Sequence, residues 1–257
     1  MMNRIFTICC LCIYYGQALA QPHVYSVANA HSHNDYEQRT PFRAAYEAGF
    51  GSMEADIFLE TDELYVAHDA RELALHRSLE RLYLQPLLAA VQKNNGYPYA
   101  DTTRTLQMLI DIKSASQSTI DKLVKTLEKF PLLINSRAIT WVITGNRPAP
   151  GQFSSYPAFI LFDGDLGRGY NTEALQRIAM MSADFKHFSG WDGNDDIPEG
   201  DENRLKEVIL AAHRLHKPVR FWNAPDSGNA WNELMLLQVD FINTDHIEAL
   251  AAFLNEK

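Results

Sequence analysis

The chain has 257 residues, 46% hydrophobic and 21% charged, which is enough for one large domain with its own core. Its net charge of −9 excludes the basic footprint that nucleic-acid backbones require. A small phosphate ester stays open as a ligand, because a bound cation can supply positive charge locally.

Near the N-terminus, Arg4 precedes an apolar stretch from Ile5 to Tyr15 and then Ala18-Leu19-Ala20, a small-x-small cleavage pattern. This predicts a secretory signal peptide over 1–20 and a mature domain over 21–257. The stretch is shorter than the roughly 20 apolar residues that a membrane span needs, so no transmembrane segment is expected in the mature chain. Cys9, Cys10 and Cys12 are the three cysteines, and all lie inside this segment. The mature chain would then carry no disulfide, thiolate nucleophile or Cys-bound metal. A secreted or periplasmic monomer is the expectation.

From there, short apolar runs alternate with longer amphipathic segments, the sign of βα units with parallel strands. Strands are predicted at 24–30, 52–59, 106–113, 138–144, 158–162, 184–189, 218–222 and 239–243. Helices are predicted at 41–48, 85–93, 116–129, 172–180, 201–216, 228–237 and 246–254. Thr40-Pro41, Asn171 and Asp245 sit where helix caps belong. The stretches 163–169 and 189–202 read as loops. No repeat or linker marks a second domain, so the pattern predicts a single-domain α/β protein, a (β/α)8 TIM barrel, whose active site is built by loops after the strand C-termini.

Strand periodicity locates the chemistry. In "SMEADIFL", Met53, Ala55 and Ile57 share one face and Glu54 and Asp56 the other. Two carboxylates pointing into a barrel are costly unless a cation or hydrogen bonds satisfy them, and oxygen ligands suit magnesium or calcium. A salt-bridged structural pair is the alternative. "LQMLIDIK" repeats the pattern with Asp111 and Lys113, where Asp111 offers another metal oxygen and Lys113 either meets a phosphate oxygen or pairs with Asp111. The "ETD" turn folds "ELYVA" back as a hairpin, which returns His68 over the carboxylates. Trp222, at the end of the seventh strand, can wall a pocket or pack in the core.

These residues carry a resemblance. "SHNDY" resembles the "SHNTY" motif of phosphoinositide-specific phospholipase C. "GFGSMEADIFLETDELYVAHD" resembles the glycerophosphodiester phosphodiesterase pattern of Glu-x-Asp, a turn and His-Asp. Residues 31–113 are most similar to the branch of this phospholipase-C-like superfamily that holds the fungal altered-inheritance-of-mitochondria proteins, and "INTD" at 242–245 fits the eighth strand. The resemblance implies a phosphoric diester hydrolase with His33 and His68 as catalytic histidines, Asn34, Glu54, Asp56 and Asp111 as ligands of one divalent cation, Mg2+ or Ca2+, and Lys113 and Trp222 at the substrate. His31 competes with His33, since Ala30-His31 resembles the Ala-His of glycerophosphodiesterases. The chain lacks His-Arg-Gly and carries Asp on the third strand where those enzymes carry Glu, so the head group of the small-molecule or lipid substrate stays open. A non-catalytic ligand-binding barrel and a glycoside hydrolase are the rival readings, and metal-dependent turnover separates them.

Overall fold

The computed structural model describes residues 24–256. The segment 1–20 read as a signal peptide lies outside them. Nine strands form one sheet: β1 (Ala30–Ser32), β2 (Ser52–Glu60), β3 (Glu63–Val66), β4 (Leu106–Ile112), β5 (Ile139–Gly145), β6 (Ile160–Asp165), β7 (Ile178–Asp184), β8 (Val219–Trp222) and β9 (Ile242–Thr244). The order β8-β7-β6-β5-β4-β2-β1-β9 is parallel throughout, and a bridge from Arg220 to Phe241 brings β8 against the start of β9. Eight strands thus make a nearly closed barrel, as the alternation predicts. The ninth, β3, pairs antiparallel with β2 through the turn at Thr61 and Asp62, which is the predicted hairpin.

Outside the sheet run α1 (Arg43–Ala48), α2 (Gln85–Lys93), α3 (Ser116–Leu127), α4 (Pro131–Ile134), α5 (Thr172–Gln176), α6 (Glu199–Arg214), α7 (Gly228–Leu236) and α8 (Ile247–Asn255). Met53, Ala55 and Ile57 on β2 and Met108, Ile110 and Ile112 on β4 join the main core between strands and helices. Inside the barrel a smaller cluster of Leu109, Val142 and Met180 plugs the lower layer. Above that plug the inward positions turn polar, which places the site at the C-terminal mouth. No helix of the described residues is long and apolar enough to cross a membrane.

Three expectations need correction. The sixth barrel strand is Ile178–Asp184 rather than 184–189, and the preceding helix stops at Gln176; "IAMM" reads as helix by propensity, but its place between β6 and β8 makes it strand. The first strand is only Ala30–Ser32, because Ser26 caps a 3-10 turn over Val27–Asn29. Asp163 to Asp165 belong to β6 rather than to a loop. Asp163 is buried there; the hydroxyls of Thr144 and Ser182 both donate to its Oδ2, while its Oδ1 has no hydrogen-bond partner.

Candidate metal and phosphoester site

Register puts the acidic residues in a row. Asp56 on β2 lies beside Asp111 on β4, which lies beside Thr144 on β5. Glu54 is two residues below Asp56 and, by the two-residue period of a strand, points the same way. One oxygen from each of Glu54, Asp56 and Asp111 falls within 4.8 Å of the others. Asp56 Oδ1 and Asp111 Oδ1 are buried with no hydrogen-bond partner. Burial, with the charges of Glu54 and Asp111, pushes the Asp56 carboxyl up to about 6, and burial and Glu54 likewise raise Asp111. Three crowded carboxylates with two orphaned oxygens form a hard oxygen donor set, and these residues therefore fit a divalent cation.

Lys113 is the local counter-charge, with Nζ 3.0 Å from Asp56 Oδ2 and 2.7 Å from Asp111 Oδ2. It lines the same cavity, so the two readings of this lysine, carboxylate pairing and cavity-facing cation, coexist. Gly145 makes room for Asp111: its φ of +69° suits glycine, and a Cβ there would lie 1.9 Å from Asp111 Oδ1.

Below this layer Arg220, on β8, donates from Nη1 to Glu54 Oε2 at 3.0 Å and to Asn243 Oδ1 at 3.2 Å. Burial alone would raise the Glu54 carboxyl, but Arg220 and His31 outweigh it and hold it ionised. His31 is fully buried between Ser52 and Arg220. Its Nε2 lies between Arg220 Nη1 at 2.7 Å and Glu54 Oε2 at 3.0 Å, and its Nδ1 lies 2.7 Å from Ser52 Oγ, so both ring nitrogens are taken up by buried polar partners. Burial first and Arg220 second lower His31 to about 4. His31 is thus a neutral, fully buried ring under the site.

His33 stands at the mouth. It follows β1, and its Nδ1 lies 2.8 Å from Asp245 Oδ1 after β9. Burial would lower its pKa, but the Asp245 carboxylate outweighs this and raises it. Asn34 follows in the left-handed region at φ 45°, ψ 41°, which asparagine tolerates. His68, after the β3 hairpin, lies with Nδ1 3.3 Å from Asp56 Oδ2, and the hairpin does return it over the carboxylates. Trp222, at the end of β8, is 39% exposed, so it belongs to the mouth rather than the core.

His33, Glu54, His68, Asp111, Lys113 and Trp222 line one cavity of about 560 Å³. Its far wall carries Thr144, Arg147, Asp163, Asp165 and Ser182, with Arg147 donating to Asp165. Asp56 lies just beneath, and Asn34 is joined to it through the Tyr36 hydroxyl, 2.9 Å from Asn34 Oδ1 and 2.8 Å from Asp56 Oδ2. All eight sequence-predicted site residues therefore converge on one mouth. Asp245, Arg220, Tyr36 and Gly145 are the ones that reading missed. A lone arginine inside "PVRFW" and an aspartate just past a strand were available signals for two of them.

Residues 21–149 match the model of the AIM6-like phosphodiesterase domain. The chain belongs to that family. Residues 218–248 match the glycerophosphoryl diester phosphodiesterase family, which places β8 and β9 in a related pattern. Among relatives, altered inheritance of mitochondria protein 6 of Eremothecium gossypii is 29% identical over 88% of this chain and 69% of its own length. A homolog from Arthroderma benhamiae is 27% identical over 87% of this chain and 82% of its own. A crystal structure of a glycerophosphodiester phosphodiesterase from Parabacteroides distasonis superimposes with a TM-score of 0.59 at 14% identity, over 89% of this chain and 97% of that one, and shares the fold.

Proposed function

We propose that this protein is a secreted or periplasmic, monomeric, metal-dependent phosphoric diester hydrolase that acts on a glycerophosphodiester or phospholipid head group. The observation that carries the reading is the convergence of His33 and His68 on one cavity beside three crowded carboxylates.

A phosphodiester repels nucleophiles with its own negative charge, so its cleavage needs charge neutralisation and proton transfer at both the attacking and leaving oxygens. Glu54, Asp56 and Asp111, with Asn34 beside them, would hold one Mg2+ or Ca2+, which when bound supplies positive charge to the phosphoryl oxygens. Lys113 adds a second positive charge from the same wall. His33, its Nδ1 held by Asp245, presents Nε2 as a base or acid, and His68 takes the opposite role. Trp222 bounds the mouth on the β8 side and contacts the head group. The attacking oxygen is a neighbouring hydroxyl of the substrate, which gives a cyclic phosphodiester first.

The test is product analysis in oxygen-18 water across glycerophosphodiesters, phosphatidylinositol, lysophospholipids and a chromogenic diester. A cyclic first product without solvent oxygen supports the reading. Solvent oxygen in the first product contradicts the cyclic step, and no turnover of any diester contradicts the hydrolase.

A further inference from the structure

Tyr36 has one proton and three polar neighbours. Its side chain is 1% exposed, and its hydroxyl lies 2.8 Å from Asp56 Oδ2, 2.9 Å from Asn34 Oδ1 and 3.2 Å from His68 Nδ1. Asp56 Oδ2 and Asn34 Oδ1 can only accept, so the phenol proton goes to one of them, and the charged oxygen makes the stronger bond. His68 Nδ1 then faces two oxygens, the phenol at 3.2 Å and Asp56 Oδ2 at 3.3 Å. Neither has a proton left for it. His68 must therefore carry its own proton on Nδ1, and Nε2 is the nitrogen with a lone pair for chemistry.

The same contacts divide Asp56 in two. Oδ2 receives Tyr36 and Lys113 and lies beside His68, whereas Oδ1 is buried with no partner. A carboxylate pinned through one oxygen presents the other in a fixed direction, which is what a metal ligand requires of its surroundings. Tyr36 is itself held from its other side: Arg77 donates from Nη1 to its backbone carbonyl at 3.2 Å and sits 5.7 Å over its ring.

We infer that Tyr36 is the positioning residue of this centre: its hydroxyl orients Asp56 toward the cation and sets the tautomer of His68. The inference rests on the metal-dependent reading above. It adds a single group that couples the metal side of the site to its acid-base side.

The experiment titrates Mg2+ and Ca2+ into the wild type, Tyr36→Phe and Tyr83→Phe by calorimetry. Tyr83 is an equally buried tyrosine whose hydroxyl meets Asp35 at 2.8 Å instead of a proposed ligand, so it controls for the general cost of losing a buried phenol oxygen. Tyr36→Phe is expected to bind the cation roughly 10- to 100-fold more weakly, with Tyr83→Phe binding as the wild type does. Unchanged affinity in Tyr36→Phe, or an equal loss in both variants, would overturn the inference. A wild type that binds neither cation contradicts the metal reading before any variant is compared. Nitrogen-15 spectra of His68, assigned with His68→Gln at a pH where the ring is neutral, need no metal. A proton on Nδ1 supports the inference, and a proton on Nε2 overturns it.

Discussion

His33 and Asp245 meet at 2.8 Å although 212 residues separate them, and the contact ties the end of β1 to the end of β9. An aspartate on Nδ1 fixes which nitrogen of the ring is offered to the cavity. Asp245→Asn preserves the shape but removes the charge. It should lower kcat on a diester about 100-fold or more with little change in KM, because only proton transfer is affected. A loss confined to KM would assign Asp245 to substrate binding instead.

Gly145 carries a second prediction. At φ +69° an alanine is strained, and its Cβ would meet Asp111 Oδ1 at 1.9 Å and the carbonyl of Ile112 at 2.7 Å. Gly145→Ala should lose more than about 1 kcal/mol of stability. It should also weaken Mg2+ or Ca2+ binding by displacing Asp111. Melting curves and metal titrations check the two effects separately.

Arg220 neutralises Glu54 in the barrel interior, and both side chains are almost wholly buried. Arg220→Met removes one partner of a buried pair and leaves the other charge stranded. A destabilisation of about 3–5 kcal/mol is expected from denaturant unfolding. The double variant Arg220→Met with Glu54→Gln should recover part of that loss, and an equal or greater loss in the double variant would show that the pair is not the source.

Asp163 gives the pH dependence. Burial raises its carboxyl above the ordinary value, and Arg220 and the Ser182 hydroxyl offset this only in part. A folded state that holds this proton more tightly than the unfolded chain gains from it at low pH. That gain is lost as pH rises from about 4, the ordinary aspartate value, through the raised folded value. The melting temperature of Asp163→Asn minus that of the wild type should therefore grow more positive between about pH 4 and pH 7. A difference that falls over this range contradicts the assignment.

Period and local chemistry explain which features were legible in the sequence. Glu54 and Asp56, two apart on an otherwise apolar strand, announce their common inward face, and the "ETD" turn announces the hairpin that carries His68. The pairing of His33 with Asp245 is not legible in the same way. Asp245 reads as a helix cap, yet α8 begins after His246 with no side-chain cap and Asp245 serves the histidine instead. Arg220 is a similar case, since Glu54 and Asn243 come from other strands and closure of the barrel brings them to it, whereas Tyr36 meets Asp56 from the neighbouring strand and His68 from the hairpin beyond it. The β7 segment failed for another reason: "IAMMSAD" has the composition of a helix and becomes a strand through its neighbours in the sheet.

The most direct test of the account is hydrolysis of a glycerophosphodiester by the wild type, Asp56→Asn and His33→Ala, each after chelator treatment and again after Mg2+ or Ca2+ is restored. The account predicts that chelator abolishes wild-type turnover, that the cation restores it, and that neither variant recovers under any condition. Full turnover in chelator, or a His33→Ala protein as active as the wild type, would contradict it.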